Sequence, residues 1–323
     1  MSKKWKIIST IVLVLIIVVS HVVSLFVAGS VVFEYALKAK VPLMDRALTA
    51  GINWQEQKLK VATSWFVDLE SREQVSVSSH DGLTLCGYQA VQDESDHKWA
   101  IFMHGYRGKV TDMTYYAKRF YDKGYNILLP YQRGHGTSQG EYITMGINEK
   151  HDLIQWVNHV VAIDPQSEIV IFGASMGAAT VMMATGEDLP ANVKVAVADC
   201  GYTSAYDEFE HLFEHYLGAN AGMLLEMTQK FATKRTGVDY AEADSVKALQ
   251  KSTTPTLFVH GSADDFVPFW MLDEVFDAAV LLEDGETKEK FVVEGAMHMM
   301  SGSFATEIYY QKVFEFVEKF VAA

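Results

Sequence analysis

The stretch that decides the fold is "EIVIFGASMGAATVMMAT", residues 168–185. Its first part, "EIVIFG", has the apolar run of a buried strand, and "AATVMMAT" is a run of helix formers that starts with small residues. Between them Ser175 stands in a G-x-S-x-G pattern. A strand that enters a sharp turn, from which a helix leaves at once, is a nucleophile elbow, and its strained turn lifts a serine hydroxyl above the sheet edge. The stretch therefore predicts Ser175 as a nucleophile.

A second G-x-S-x-G pattern, "GTSQG" at 136–140, offers Ser138 as an alternative. The preceding strand pattern, "YNILLP", ends at Pro130, and a loop separates it from the serine. The residues that follow, "EYITMG", do not begin a helix. Because the elbow needs both a strand and a helix, we interpret 136–140 as a Gly-rich loop beside the site and keep Ser175 as the nucleophile.

Short apolar runs recur along the chain and alternate with helical patterns, as in a mainly parallel sheet that is covered on both faces. The first two runs flank "HDG", a turn signal, and predict an antiparallel hairpin. The predicted strands are "QVSVSS" (74–79), "LTLCGYQAV" (83–91), "WAIFMHG" (99–105), "YNILLP" (125–130), "EIVIFG" (168–173), "VKVAVADC" (193–200), "TPTLFVHG" (254–261) and "EKFVVEG" (289–295). We predict an α/β domain over 74–323, with an eight-stranded sheet.

One interval interrupts this alternation. No strand pattern occurs between Cys200 and Thr254, where the sequence is helical and rich in Met, Leu and aromatic residues. Ligands bind at the carboxyl edge of open α/β sheets. We therefore expect residues 201–253, approximately, to form a helical cap over that edge.

The N-terminus carries no charged residue from Ile7 to Phe33. A helix needs about 20 apolar residues to cross the hydrocarbon core of a bilayer. A cleaved signal peptide is the alternative, but its apolar region is shorter, about 7–15 residues, and "VAG" at 27–29 is a poor cleavage site. We predict an uncleaved signal anchor, a transmembrane helix, over 1–33, followed by a juxtamembrane helical stalk over 34–73.

The orientation of this helix depends on the basic residues beside it. The two flanks are nearly balanced, and the residues concerned are Lys3, Lys4 and Lys6 before the helix and Lys38, Lys40 and Arg46 after it. The cluster is tighter on the N-terminal side, where the α-amino group adds to it. We expect a single-pass protein of the cell membrane with its N-terminus inside and its catalytic domain extracellular.

A nucleophilic serine needs a base, and the base needs an acid that orients it. In this type of sheet the order along the chain is Ser, then Asp or Glu, then His. His298 follows the last strand, in "GAMHMMS", and is the predicted base. Asp264, in "HGSADDFVP" after the preceding strand, is the predicted acid, with Asp265 as a capping or surface residue. Asp199, at the end of "VAVADC", is an alternative acid at the same edge.

An oxyanion hole needs two backbone N–H donors. The first belongs to the residue after the nucleophile, Met176, and the second to the loop after the third strand. That loop is "HGYRG", 104–108, and predicts Tyr106 as the second donor. We interpret His104 as a residue that braces the loop.

Charge and metal-ligand patterns exclude other classes of function. The net charge of −14 argues against a nucleic-acid partner, because binding phosphates needs clustered Lys and Arg. Cys86 and Cys200 are the two cysteines, and one disulfide between them is arithmetically allowed. His211 and His215 are spaced i, i+4 but lack the H-E-x-x-H order and a third ligand. We predict no metal and no cofactor.

Six motifs together resemble the α/β-hydrolase superfamily, with the nearest similarity to membrane-anchored cell-surface serine hydrolases of Gram-positive bacteria. They are "FMHGYRG", "RGHGTS", "GASMGAAT", "DCGYTS", "HGSADDFVP" and "GAMHMMS". The resemblance covers about residues 70–320 and implies the triad Ser175, Asp264 and His298, with Tyr106 and Met176 as oxyanion donors. Many members have an aspartate before "RGHG", whereas this chain has "YQRGHG".

These expectations define a function. The chain is predicted to cleave an ester, thioester or amide of a small-molecule acyl substrate through an acyl-enzyme, with the membrane as its partner through the N-terminal helix. A serine peptidase that acts on small peptides is an alternative within the same chemistry. A catalytically inert surface scaffold is an alternative from another class.

Overall fold

The computed structural model describes residues 3–39, 56–92, 97–218, 222–280 and 287–322 of the chain. One sheet of eight strands organises the domain. The strands are β1 (Arg72–Ser78), β2 (Thr84–Ala90), β3 (Lys98–Met103), β4 (Asn126–Pro130), β5 (Glu168–Ala174), β6 (Val193–Asp199), β7 (Thr256–Gly261) and β8 (Lys288–Val293).

Helices separate most of these strands along the chain. They are α1 (Lys3–Leu37), α2 (Glu56–Asp68), α3 (Thr114–Tyr121), α4 (Ile147–Ile163), α5 (Met176–Thr185), α6 (Ala205–Leu217), α7 (Gly222–Thr236), α8 (Ser245–Leu249), α9 (Trp270–Ala278), α10 (Ser301–Phe304) and α11 (Thr306–Val317). Short 3₁₀ helices at Val110–Met113 and Tyr240–Glu242 precede α3 and α8.

The spatial order of the strands is β1-β2-β4-β3-β5-β6-β7-β8. β2 runs antiparallel to β1 and to β4, and the other neighbours are parallel. The prediction of a mainly parallel, eight-stranded α/β sheet is confirmed. The strand order reverses at β3, so the loops after β3 and β5 diverge from one point of the carboxyl edge, which is where ligands bind in open sheets.

Both faces of the sheet are covered, because successive side chains of each strand point to opposite faces. On one face Phe102 and Phe172 pack against Phe120 of α3. On the other face Ile101 packs in a cluster with Trp156 of α4. Apolar side chains on both sides of the central strands explain why these strands are continuous apolar runs in the sequence.

The elbow between β5 and α5 depends on two glycines. A Cβ at Gly173 would lie 2.1 Å from the carbonyl oxygen of Gly177, and a Cβ at Gly177 would lie 2.0 Å from that of Met103. Ser175 between them has φ 57° and ψ −124°, in the left-handed half of backbone space. Such a conformation costs about 1–3 kcal/mol for a non-glycine residue and persists only where the surroundings hold it.

The apolar helix α1 has two parts. The segment Leu13–Glu34 is long and apolar enough to cross a membrane, and it lies near the N-terminus. Most side chains from Leu13 to Val27 are exposed. In contrast, Phe33 and Leu37 are buried against the domain. The helix is therefore largely exposed from Leu13 to Val27 and packs against the domain at its end.

The segment 34–73, predicted as a stalk, is only partly described, since residues 40–55 lie outside the described ranges. Its helix α2 packs on the domain: Ala62 and Phe66 are buried, and Lys58 Nζ donates a hydrogen bond to the Ser303 carbonyl at 2.9 Å. Both described ends of this segment thus lie against the domain. The interval 201–253, predicted as a cap, contains α6, α7 and α8.

Gly177→Ala tests the elbow. The added methyl group meets the Met103 carbonyl, so we expect a loss of about 2–3 kcal/mol in the free energy of unfolding. Urea unfolding followed by circular dichroism measures it. Gly222→Ala is the control, because a Cβ there has no heavy atom within 4 Å and should change stability by less than about 0.5 kcal/mol. Equal effects of the two substitutions would contradict the steric account.

Candidate active site

Three side chains from distant parts of the chain meet at the carboxyl edge of the sheet. Ser175 lies between β5 and α5, Asp264 follows β7, and His298 follows β8. His298 Nε2 is 2.9 Å from Ser175 Oγ, and His298 Nδ1 is 2.8 Å from Asp264 Oδ2. An ionised carboxylate only accepts hydrogen bonds, so Nδ1 carries the imidazole proton and Nε2 is left to accept the proton of the serine hydroxyl. This geometry fits a base that activates Ser175.

The carboxylate of Asp264 is buried and held on both oxygens. Its Oδ1 accepts from the backbone N–H groups of Phe266 and Val267 at 3.1 and 3.0 Å. Its Oδ2 lies 3.3 Å from His260 Nε2 as well as beside His298. Burial alone raises the pKa of Asp264, but its electrostatic interactions and hydrogen bonds with His298 and His260 prevail and lower this pKa to about 2. Asp264 is therefore ionised at neutral pH.

The alternative acid, Asp199, has different partners. Its Oδ2 accepts from the hydroxyl groups of Tyr309 at 2.7 Å and Tyr116 at 3.4 Å. Burial raises the pKa of Asp199 to about 6, against the hydrogen bond from Tyr309 and the attraction of the nearby histidines. His298 bonds Asp264, and Asp199 ties β6 to α11 through Tyr309. Asp265, the third acid considered, contributes its backbone carbonyl to a 2.8 Å hydrogen bond from His211 Nε2.

The loop after β3 passes directly over the nucleophile. A Cβ at Gly105 would lie 3.2 Å from Ser175 Cβ, which is tighter than most side-chain contacts, so glycine favours this close approach of the backbone. Tyr106 is the next residue after Gly105. Met176 is the first residue of α5, where a backbone N–H has no partner within the helix. The structure thus places the segments of both predicted oxyanion donors next to Ser175.

Two buried histidines hold this loop, of which the sequence singled out one. His104 Nε2 accepts from the Gln132 N–H at 3.1 Å, so its Nδ1 donates to the Gly105 carbonyl at 2.8 Å. His135 Nε2 accepts from the Arg107 N–H at 3.1 Å. Burial lowers the pKa of both rings, and that of His104 reaches about 3. Both imidazoles are therefore neutral and hold the loop through hydrogen bonds. The sequence feature that could have indicated His135 is its place in the same Gly-rich loop as Ser138.

Ser138 is part of a structural loop. Its side chain is buried, and its Oγ accepts from the Cys86 N–H at 2.8 Å and donates to the Tyr131 carbonyl at 2.7 Å. Next to it Arg133 is bound by Asp152 and Asp81 at 2.7–3.2 Å. These contacts connect the loop to β2 and α4 and engage the Ser138 hydroxyl in holding backbone.

One buried acid near the triad was not found from the sequence. Glu208 of α6 is buried, and its carboxyl oxygens have no hydrogen-bond partner among the residues that the structure describes. Burial and the negative charge of Asp264 raise the pKa of Glu208 well above its usual range. This shift favours the neutral form of Glu208 beside the charge of Asp264.

Potential metal ligands lie close together at two places in the described part of the chain. The two groups are Cys200, Asp264 and His298, and His80, Asp81 and Asp152, with their ligand atoms within 4.8 Å of one another. In the first group Asp264 is paired with His298, and in the second both carboxylates are paired with Arg133. Cys86 and Cys200 are free thiols.

An eight-stranded α/β sheet with a serine at the strand-to-helix elbow, a histidine after the last strand and an acid between them defines the class of α/β hydrolases. The family model of the prolyl oligopeptidase family, peptidase S9, matches residues 112–323. The chain belongs to this family. The prediction of the α/β-hydrolase superfamily is therefore confirmed.

The chain is also similar to a bacterial relative in sequence, and it shares its fold with solved structures. YqkD of Bacillus subtilis (strain 168) is 25% identical over 260 residues, which cover 78% of this chain and 82% of YqkD. The esterase Pf2001 of Pyrococcus furiosus is similar in structure with a TM-score of 0.63 at 22% identity, covering 84% of this chain and 97% of that one. The acylaminoacyl peptidase of Pyrococcus horikoshii has a TM-score of 0.54 at 17% identity, covering 82% of this chain and 43% of that one.

Asp199→Asn tests the burial of the second aspartate. The folded-state pKa of about 6 exceeds the unfolded value of about 3.9, so the carboxyl's contribution to stability is full below pH 4 and is lost as the pH rises through 6. The amide in the Asp199→Asn variant does not ionise, so the variant does not lose stability in this way as the pH rises. The free energy of unfolding of the variant minus that of the wild type should therefore rise between pH 4.5 and 7.5, by about 2 kcal/mol.

Urea unfolding at a series of pH values measures this difference. The exposed carboxylate of Asp188 provides the control, since Asp188→Asn should shift stability by a nearly constant amount over the same range. A flat difference for Asp199→Asn would show that Asp199 is ionised throughout.

Proposed function

We propose that this α/β hydrolase is a serine hydrolase that cleaves a carboxylic ester, or a thioester or amide, through an acyl-enzyme. The observation that carries the proposal is the continuous chain of contacts from Ser175 Oγ to His298 and on to Asp264, at 2.9 and 2.8 Å. A nucleophile, a base and an orienting acid in hydrogen-bond contact are what acyl transfer through serine needs.

The proposed reaction has two halves. Ser175 Oγ attacks the acyl carbon while its proton passes to His298 Nε2. The imidazolium is stabilised by Asp264, whose low pKa keeps it ionised, and it then donates the proton to the leaving group. Water repeats these steps on the acyl-enzyme and releases the acid. Backbone N–H groups of Met176 and Tyr106 would bind the negative oxygen that develops in both halves.

The surroundings of His298 favour an apolar acyl group. The ring of Phe266 lies 4.9 Å from the imidazole ring, and Met299 Sδ lies close to Gly105. Apolar side chains exclude water and adapt to an acyl chain. These contacts support an ester of a small-molecule acyl group as the substrate.

A serine peptidase that acts on small peptides is the second candidate, and the family match to prolyl oligopeptidases favours it. Both candidates use the same triad, so they differ in the leaving group that the cap accepts. Measuring kcat/KM for p-nitrophenyl esters and for acyl-peptide p-nitroanilides with the same acyl group separates them. A higher value for the anilides would favour the peptidase.

For the N-terminal helix we propose a single-pass signal anchor in the cell membrane, with the catalytic domain outside. The exposed apolar surface of α1 from Leu13 to Val27 supports the anchor, and the lysines at positions 3, 4 and 6 support an internal N-terminus. Protease added to intact cells should then digest the domain. If the domain were digested only after the cells are lysed, the orientation would be the opposite one, with the domain inside the cell.

Ser175→Ala tests the nucleophile. Removal of Oγ should lower kcat on p-nitrophenyl butyrate by at least about 10³-fold and abolish labelling by a fluorophosphonate probe, because Ser175 Oγ is the proposed nucleophile and lies 2.9 Å from His298 Nε2. Ser138→Ala is the matched control in the second G-x-S-x-G pattern and should retain labelling.

Three outcomes would change the proposal. Labelling of Ser175→Ala would place the nucleophile elsewhere, and loss of labelling in a folded Ser138→Ala variant alone would point to the other serine. A wild-type protein inert to the probe would support the scaffold.

A further inference from the structure

The end of helix α1 is capped by the loop that passes over the nucleophile. The last carbonyl groups of a helix have no partner within the helix. Here the Ala36 carbonyl accepts from the Tyr106 hydroxyl, and the Lys38 carbonyl accepts from the Arg107 guanidinium at 2.9 Å. Between them, the Leu37 carbonyl accepts from the Ile143 N–H at 2.8 Å. Three successive carbonyls of the N-terminal segment are thus bound by loops of the catalytic domain.

The loop side of this cap is strained. Arg107 has φ 53°, in the left-handed region that a non-glycine residue adopts only when tertiary contacts hold it. Its Nε also donates to the Tyr106 hydroxyl at 2.9 Å, so the two side chains form one unit that reaches the helix end. This unit lies one and two residues after Gly105, which contacts Ser175.

The helix side of the cap is fixed by packing. Phe33 is buried between the rings of Tyr142 and Phe231, at centroid distances of 5.3 and 6.2 Å. A Cβ at Gly29 would lie 3.2 Å from the backbone of Met227 in α7, so the helices approach closely. The cationic guanidinium also complements the negative end of the helix dipole. The carbonyls of residues 36–38 are therefore held in place against the domain.

We propose that the docked end of the N-terminal helix is part of the active site. Tyr106 and Arg107 are positioning residues: their contacts with the carbonyls at the end of this helix fix the backbone of the oxyanion loop. This inference rests on the proposed function. Contacts to the helix carbonyls stabilise the left-handed backbone at Arg107 and so keep the Tyr106 N–H directed at the site. Hydrolysis then depends on the attachment of the membrane helix to the domain.

Arg107→Ala in the full-length chain in detergent micelles tests the loop side. The backbone N–H groups remain, so a loss must come from their positions. We expect kcat on p-nitrophenyl butyrate to fall about tenfold to a hundredfold, less than the 10²–10³-fold lost when an oxyanion donor is removed, with KM changed less than about threefold. Arg107→Lys keeps a donor for the Lys38 carbonyl and should restore part of kcat. Arg119→Ala, which removes an arginine of α3, is the control and should leave kcat unchanged.

Phe33→Ala tests the helix side without altering the loop. The lost ring loosens the helix end, so kcat should fall in the same direction as for Arg107→Ala. Leu15→Ala is the matched control in the exposed part of α1, where the side chain is 57% exposed. Combining Arg107→Ala with Phe33→Ala should cost less than the product of the two single effects, because both break one connection.

The outcomes separate this inference from the proposed function. If the wild type shows no turnover that depends on Ser175, the proposed function fails. If the wild type is active and folded Arg107→Ala and Phe33→Ala both keep its kcat, only the inference is overturned. Should Arg107→Ala not fold, Tyr106→Phe, which removes the hydroxyl and keeps the N–H, and Phe33→Ala decide the question by the same criterion. Equal losses from Phe33→Ala and Leu15→Ala would also overturn the inference.

Discussion

The backbone of Ser175 lies at φ 57° and ψ −124°, a conformation that depends on contacts from three neighbouring segments. Its N–H donates to the Asp199 carbonyl at 2.9 Å. A side chain at Gly173 or Gly177 would clash with the neighbouring backbone. Gly177 also approaches the carbonyl of Met103, the last residue of β3. Gly105 leaves from that end and lies against Ser175. One packing constraint therefore sets the position of Ser175 and of the loop that faces it.

Two aspartates at the same edge show how surroundings assign roles to one residue type. Asp264 is beside two histidines and two backbone N–H groups, and its pKa is about 2, whereas Asp199 is beside tyrosine hydroxyls and has a pKa of about 6. Burial raises the pKa at both sites, so the hydrogen-bond partners decide the difference. The carboxylate with the lowered pKa is therefore the one beside His298.

The N-terminal helix belongs to two environments. Apolar composition predicts a span over 1–33, yet the helix continues to Leu37, and its buried end contacts residues of the oxyanion loop and of α7. These partners are about 70 and 200 positions further along the chain, so no local pattern indicates them. A hydropathy pattern shows how apolar a segment is, but it does not show which residues pack against that segment.

The sequence alone determined the alternation of strands and helices, the elbow at Ser175 and the order of Ser, Asp and His, because periodicity and the steric demands of glycine act over a few residues. The tertiary structure alone decided which of the candidate acids contacts His298, the bracing role of His135, the contact of His260 with Asp264, and the capping of α1 by Arg107. Hydrogen bonds are effective only near 3 Å, and such distances between residues from different strands are set by the packing of the whole sheet.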